Sequence, residues 1–381
     1  MKILGFILCT VVLCMVGVSP ALGEDVIKIG AILSVTGPAS FLGAPEARTL
    51  EMLADDMNAQ GGINGKKVKL IIKDSAGSPE KAISFAKQLI EEDKVFAIIG
   101  PSTSGETMAI KNIVEEGKTI LISCAAAEVI VNPVAKYVFK TPQKDSYAVL
   151  RIFQQMKKMG ISKIGVLTSN TGFGKAGKEQ IEKLAPENGI QIMVNEVYDK
   201  AATDLTAEVT KLKAANVQAV INWSIEPAQS IVIKNIRQIG LKIPIFQSHG
   251  FGNIQYVKAA GVAAEGVIFP AGRLLIADSL PKNDPQRDVL LKYKSNYETK
   301  SHGEECSTFG GHGYDAFMIL VQAIKEAGPD KEKVRTTIEN MKGFVGTGGV
   351  FNFSAQDHNG LDINSFEMLT VKDGRFVILK K

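Results

Sequence analysis

Gly172, Gly174 and Gly177 stand at the spacing G-x-G-x-x-G within the stretch SNTGFGKAGKEQ. Glycines so placed can cradle a pyrophosphate, because the backbone comes close to the ligand and the following helix aims free N–H groups at it. The apolar run Ile164–Leu167 precedes them, and Glu196 and Asp199 lie about twenty residues on, where a ribose-binding carboxylate belongs. A second group offers simpler chemistry. Ser102, Thr103 and Ser104 lie between a buried run and a helix starting near Gly105. Hydroxyls beside the free N–H groups of a helix N-terminus suit a carboxylate. Ser104 would serve equally as the cap of that helix.

The elements that must position these residues alternate along the chain. Val26–Leu33 reads as a strand, followed by the loop SVTGPASFLGAPEA. A helix then carries Leu50, Leu53, Ala54 and Met57 on one face and stops at Gly61-Gly62. Strands at Val68–Lys73, Val95–Ile99 and Ile120–Ser123 alternate with helices at Pro79–Glu92 and Glu106–Glu116. The rhythm restarts with a helix at Tyr147–Met159 and runs through strands Ile164–Leu167, Gln191–Tyr198, Ala219–Asn222 and Ile245–Gln247. Helices Lys175–Glu187, Leu205–Ala215 and Pro227–Ile239 lie between those strands. Helices Arg287–Tyr297 and Tyr314–Glu326 and a strand-rich tail complete the chain. The class is α/β, with two doubly wound parallel sheets.

In open parallel sheets ligands gather at the carboxyl ends of strands. Those ends carry Phe41-Leu42, GPSTSG after Ile99, SCAAAE after Ile122, NTGFG after Leu167, WSIEP after Asn222 and SHGFG after Gln247. Four residues, Thr168 to Thr171, separate the strand from the glycines of the fingerprint. A dinucleotide site needs its tight turn at the strand tip, so no nucleotide is expected.

Bulk properties narrow the function. The 381 residues favour two lobes over one core. Lys2, the apolar run Ile3–Val18 and the small residues Ala21 and Gly23 predict a secretory signal peptide over residues 1–23 and export to the periplasm. A net charge of +4 spread over a chain that is 22% charged holds no basic block, so no nucleic acid is expected. Cys124 and Cys306 remain after cleavage, either as two buried thiols or as a pair. His302, His312 and His358 have no partner at metal spacing, and no metal or other cofactor is expected. No hydrolase constellation stands out, and the expectation is a non-enzyme.

The segments IKIGAILSVTGPASFLG, MNAQGGINGKKVKLIIKDSAGSPEKA, FAIIGPSTSGETMAI and YDAF resemble the periplasmic solute-binding proteins of ABC importers, branched-chain amino-acid type. The resemblance covers nearly all the chain after residue 23. It implies a type I periplasmic fold, two lobes joined by three hinge crossings, closing over a small molecule that is passed to a membrane permease. The expected lobes are residues 24–143 with 272–358 and residues 144–271 with 359–381. A monomer is expected. A sensory receptor module of the same fold is the rival reading.

By the same resemblance, Ser104 binds the ligand's carboxylate or amino end, helped by Ala125, Ala126 and Ala127, and Phe173 faces the cleft. The family's threonine falls at Ala127, its tyrosine at Ile225, and its acid for the α-ammonium at His249. An unpaired buried ammonium costs several kcal/mol, so the loss of three acceptors argues against an amino acid. With Phe41, Phe173 and Trp223 available to sandwich a ring, an aromatic or other apolar carboxylate is the expected ligand. A branched-chain amino acid is the alternative.

Overall fold

The β-branched runs form two sheets in the computed structural model, which describes residues 26–380. The expected signal peptide lies outside the described residues. The first sheet holds β1 (Val26–Leu33), β2 (Lys67–Asp74), β3 (Ala97–Ile99), β4 (Ile120–Ser123) and β5 (Val138–Lys140), all parallel, in the order β2-β1-β3-β4-β5. Helices α1 (Ser40–Ala59), α2 (Pro79–Lys87) and α3 (Ser104–Glu116) connect its strands.

After β5 the chain passes to a second body through Thr141–Lys144. There α4 (Asp145–Lys158), β6 (Lys163–Ser169), α5 (Gly172–Leu184), β7 (Gln191–Tyr198), α6 (Thr206–Ala214), β8 (Ala219–Trp223), α7 (Ala228–Gln238), β9 (Ile245–Gln247), α8 (Ile254–Ala260) and β10 (Ile268–Ala271) follow. The chain then carries α9 (Arg287–Lys300) and returns to the first body with α10 (Thr308–Ala327), α11 (Lys331–Asn340) and the short pair β11 (Phe344–Val345) and β12 (Val350–Phe351). It ends on the second sheet as β13 (Glu367–Lys372) and β14 (Arg375–Ile378), both in antiparallel pairing. That sheet runs β14-β13-β10-β9-β8-β6-β7. Two α/β bodies result, as the alternation predicted, with an antiparallel pair closing the edge of the second sheet.

Several helices start earlier than the sequence reading has them, and α1 and α10 show the steric reasons. SVTGPASFLGAPEA reads as a loop because of its glycines and prolines, yet α1 already begins at Ser40. Gly43 is there because its α-carbon lies against the backbone of Ser34, where no side chain fits. In α10, Gly310 and Gly313 sit inside the helix and not before it, since they let it close onto Tyr293, Thr49 and the backbone of Glu46. Cys124 and Cys306 are free, buried thiols, and burial pushes Cys306 up to about 12. Among the described residues no helix is long and apolar enough to cross a membrane, and no cluster could hold a metal ion.

Candidate functional site

The N-termini of α3 and α5, one from each body, meet across the cleft. A Cβ on Gly172 would stand 2.8 Å from the amide nitrogen of Gly105. Two positive helix ends aimed at one place favour an anion between them. The remaining glycines of the fingerprint also have steric reasons. Gly174 packs against the carbonyl of Ser169, and Gly177 lies flat on the indole of Trp223. The helix starts at Gly172 and not near Lys175, so the fingerprint is the first turns of α5 and not a phosphate loop.

The hydroxyl residues after β3 divide their roles. Thr103, not Ser104, caps α3: its Oγ1 accepts from the Glu106 N–H and donates to the Glu106 carboxylate at 2.6 Å. Ser102 donates to the Glu46 carboxylate and accepts from the Ser34 N–H at 3.0 Å, so its hydroxyl is engaged within the first body. Glu46 is fully buried, and burial drives its pKa up. Only Ser104 keeps a proton to give: its Oγ accepts the Ala127 N–H at 3.2 Å.

That bond is one of several holding the Ala125–Ala127 loop. Ser123 Oγ takes the Ala125 N–H at 3.1 Å, and Asp145 Oδ2 takes the Glu128 N–H at 3.3 Å. Lys140 is completely buried, and its ammonium donates to the carbonyls of Ala126 at 2.5 Å and of Pro142 and Gln143 at 3.0 Å. The same cation therefore fixes the loop and the start of the crossing into α4. Burial pulls the Lys140 ammonium down and the Asp145 carboxyl up, and each charge opposes the shift of the other. Sequence reasoning missed Glu46, Lys140 and Asp145. The visible signal was a lysine and an aspartate flanking Thr-Pro-Gln-Lys between a buried strand and a helix.

The opposing wall comes from the second body. Phe173, Ile225 and His249 line the cleft, as does His312 from α10. Trp223 does not: it is wholly buried behind Phe173 and His249, with ring centroids 5.6 Å from each. Phe41 packs edge-on against Tyr256 at 5.1 Å, and only its neighbour Leu42 reaches the inner cleft. The expected three-ring sandwich is therefore not formed. Burial, then the charge of Lys140 and the neighbouring His312, hold the His249 imidazole neutral, well below its ordinary pKa. His312 is pushed down to about 3 by burial and Lys140.

Two spaces share Ser104, Phe173 and Ile225. The outer one, about 210 Å³, adds Thr103, Gly105, Gly172, Glu226 and Lys200. The inner one, about 20 Å³, is lined by Leu42, Ser102, Ala125, Ala126, His249, Phe309 and His312. It has room for about one water, so the lobes must part to admit anything larger.

This geometry agrees with the comparisons. A family profile described as periplasmic binding protein matches residues 26–375. A leucine-, isoleucine-, valine-, threonine- and alanine-binding protein of Pseudomonas aeruginosa is 27% identical over 83% of each chain. A Leu/Ile/Val-binding protein homologue of Brucella melitensis is 24% identical over 93% of this chain and 94% of its own. Among solved structures, an extracellular ligand-binding receptor from Rhodopseudomonas palustris superposes with a TM-score of 0.87 at 28% identity, covering 93% of this chain and 99% of its own. The branched-chain amino acid transporter substrate binding protein LivJ of Streptococcus pneumoniae, in complex with isoleucine, gives 0.80 at 25% identity, covering 92% and 97%. From the two sheets, the cleft between them and a match over nearly its whole described length, the chain has the type I periplasmic fold that the resemblance implied and belongs to the periplasmic binding protein family.

Proposed function

We propose that the chain captures a small aliphatic α-amino acid between its lobes in the periplasm and hands it, as a monomer, to a membrane permease of an ABC importer. The observation that carries this reading is the meeting of the α3 and α5 N-termini at Gly105 and Gly172, beside the free hydroxyl proton of Ser104. A carboxylate bound there accepts from Ser104 and from N–H groups of both helices, and so holds the lobes together. Leu42, Phe173, Ile225 and Phe309 supply apolar surface for a short side chain. The relatives' names point to the same class of ligand.

The aromatic acid expected from the sequence has less support. Its stacking partners Phe41 and Trp223 are turned to Tyr256 and to the core beneath Gly177. Titration calorimetry with leucine, isoleucine, valine and benzoate separates the two. Heat from the aliphatic amino acids with benzoate silent is the expected result. Benzoate binding with the three amino acids silent would overturn the assignment.

A further inference from the structure

An amino-acid ligand brings an ammonium group, which needs acceptors once it is enclosed. His249 lines the inner cleft, where an imidazolium would repel that ammonium. Behind that histidine the structure holds a carboxylate. Asp145, at the start of α4, is fully buried. Its Oδ2 accepts the Glu128 N–H, while Oδ1 has no hydrogen-bond partner and lies 3.8 Å from His249 Nε2. Neither ring nitrogen of His249 has a partner. A buried donor and a buried acceptor left unmade side by side are each costly, and a shift of under an ångström pairs them.

We infer that Asp145 sets the tautomer of His249, drawing its single N–H to Nε2, so that Nδ1 serves as a neutral acceptor for the ammonium of the ligand. A neutral imidazole has one donor and one acceptor nitrogen, and the partner of one fixes the role of the other. Asp145 is thus a positioning residue that acts through His249. The surroundings keep the ring neutral. Lys140 on β5 and His312 on α10 are the other titratable groups against it, and both disfavour a second proton. The remaining neighbours, Phe173, Trp223 and Phe366, meet the ring at centroid distances of 5.4 to 5.6 Å and carry no charge.

This inference rests on the amino-acid reading, but part of its test does not. Nitrogen-15 spectra of the ligand-free protein labelled at histidine, with His249 assigned by its loss in His249→Gln, report the tautomer directly. The expected signal is Nε2–H. An Nδ1–H ring or an imidazolium at neutral pH would overturn the proposal whatever the ligand is. Leucine titrations then supply a double-mutant cycle. Asp145→Asn is expected to weaken leucine about tenfold or more in the native background. In the His249→Gln background, where the amide oxygen is a fixed acceptor, it should cost far less. Equal losses in both backgrounds would reduce Asp145 to a structural role. Leucine silent on the native protein, with the Nε2–H signal present, would sink the ligand assignment and leave the tautomer finding standing.

Discussion

Asn253 Nδ2 donates to the backbone carbonyl of Phe41 at 2.9 Å, reaching from the second body to the first. That carbonyl is free because Pro45, four residues on within α1, has no N–H to give it. Asn253 Oδ1 meanwhile caps α8 through the Gln255 N–H at 2.9 Å. A proline that weakens its own helix thus supplies an acceptor to the opposite lobe. Asn253→Asp keeps the cap and removes the donor. Ligand affinity is expected to fall by about 0.5–1.5 kcal/mol, as for one hydrogen bond. Unchanged affinity by calorimetry would show that the bond is absent from the bound form.

The two hydroxyls at the head of α3 should separate cleanly. Ser104→Ala is expected to weaken ligand by about 1–3 kcal/mol, the cost of a charge-assisted bond, beyond the stability lost with its bond to the Ala127 N–H. Thr103→Ala removes the cap and should lower stability by about 1 kcal/mol. The reverse pattern would reassign both residues.

Lys140 bridges the Ala126 loop and the crossing strand while facing Asp145. Lys140→Met is expected to cost about 3–5 kcal/mol of stability, because a buried carboxyl loses its countercharge. Adding Asp145→Asn should return part of that loss. A double variant no more stable than the single one would show that the carbonyl bonds, and not the charge pair, dominate. Chemical denaturation reads both.

Gly177→Ala drives a methyl group into the Trp223 indole. The expected destabilisation is about 1–3 kcal/mol, seen as a lower melting temperature and a changed tryptophan emission. Trp223 is the only tryptophan of the chain, so that emission has a single source.

His312 gives a pH-dependent prediction. Its folded pKa lies near 3, whereas an unfolded histidine titrates near about 6.5. Below that upper value the unfolded chain takes a proton that the folded chain refuses. The stability contribution is therefore present above about 6.5 and is lost as the pH falls toward about 3. Replacement by glutamine removes the loss. The gap between native and His312→Gln proteins should move by about 2 kcal/mol in favour of the variant between about pH 6.5 and 5. Glu46 and Asp145, whose pKa values are raised, act in the opposite sense, so the difference between the two proteins is the quantity to follow. A constant gap across that range would mean His312 titrates as an ordinary exposed histidine.

The alternation of apolar runs with amphipathic helices already determined two largely parallel sheets and the strand ends whose loops meet at the cleft, because those periods are local. It also put Ser104, Phe173, Ile225 and His249 in loops at strand tips, since a strand tip is legible from the run before it, while their roles toward a ligand came from the resemblance. What a side chain does at such a tip is a matter of partners distant in sequence. Ser102 turns to Glu46, 56 positions away, and Phe41 to Tyr256. Trp223 reads as a cleft aromatic until Gly177 leaves room for it in the core. Lys140 and Asp145 look like ordinary charges beside a turn. Their burial, and with it the strength of their charge interaction, exists only once both sheets and the crossing between them have removed the water.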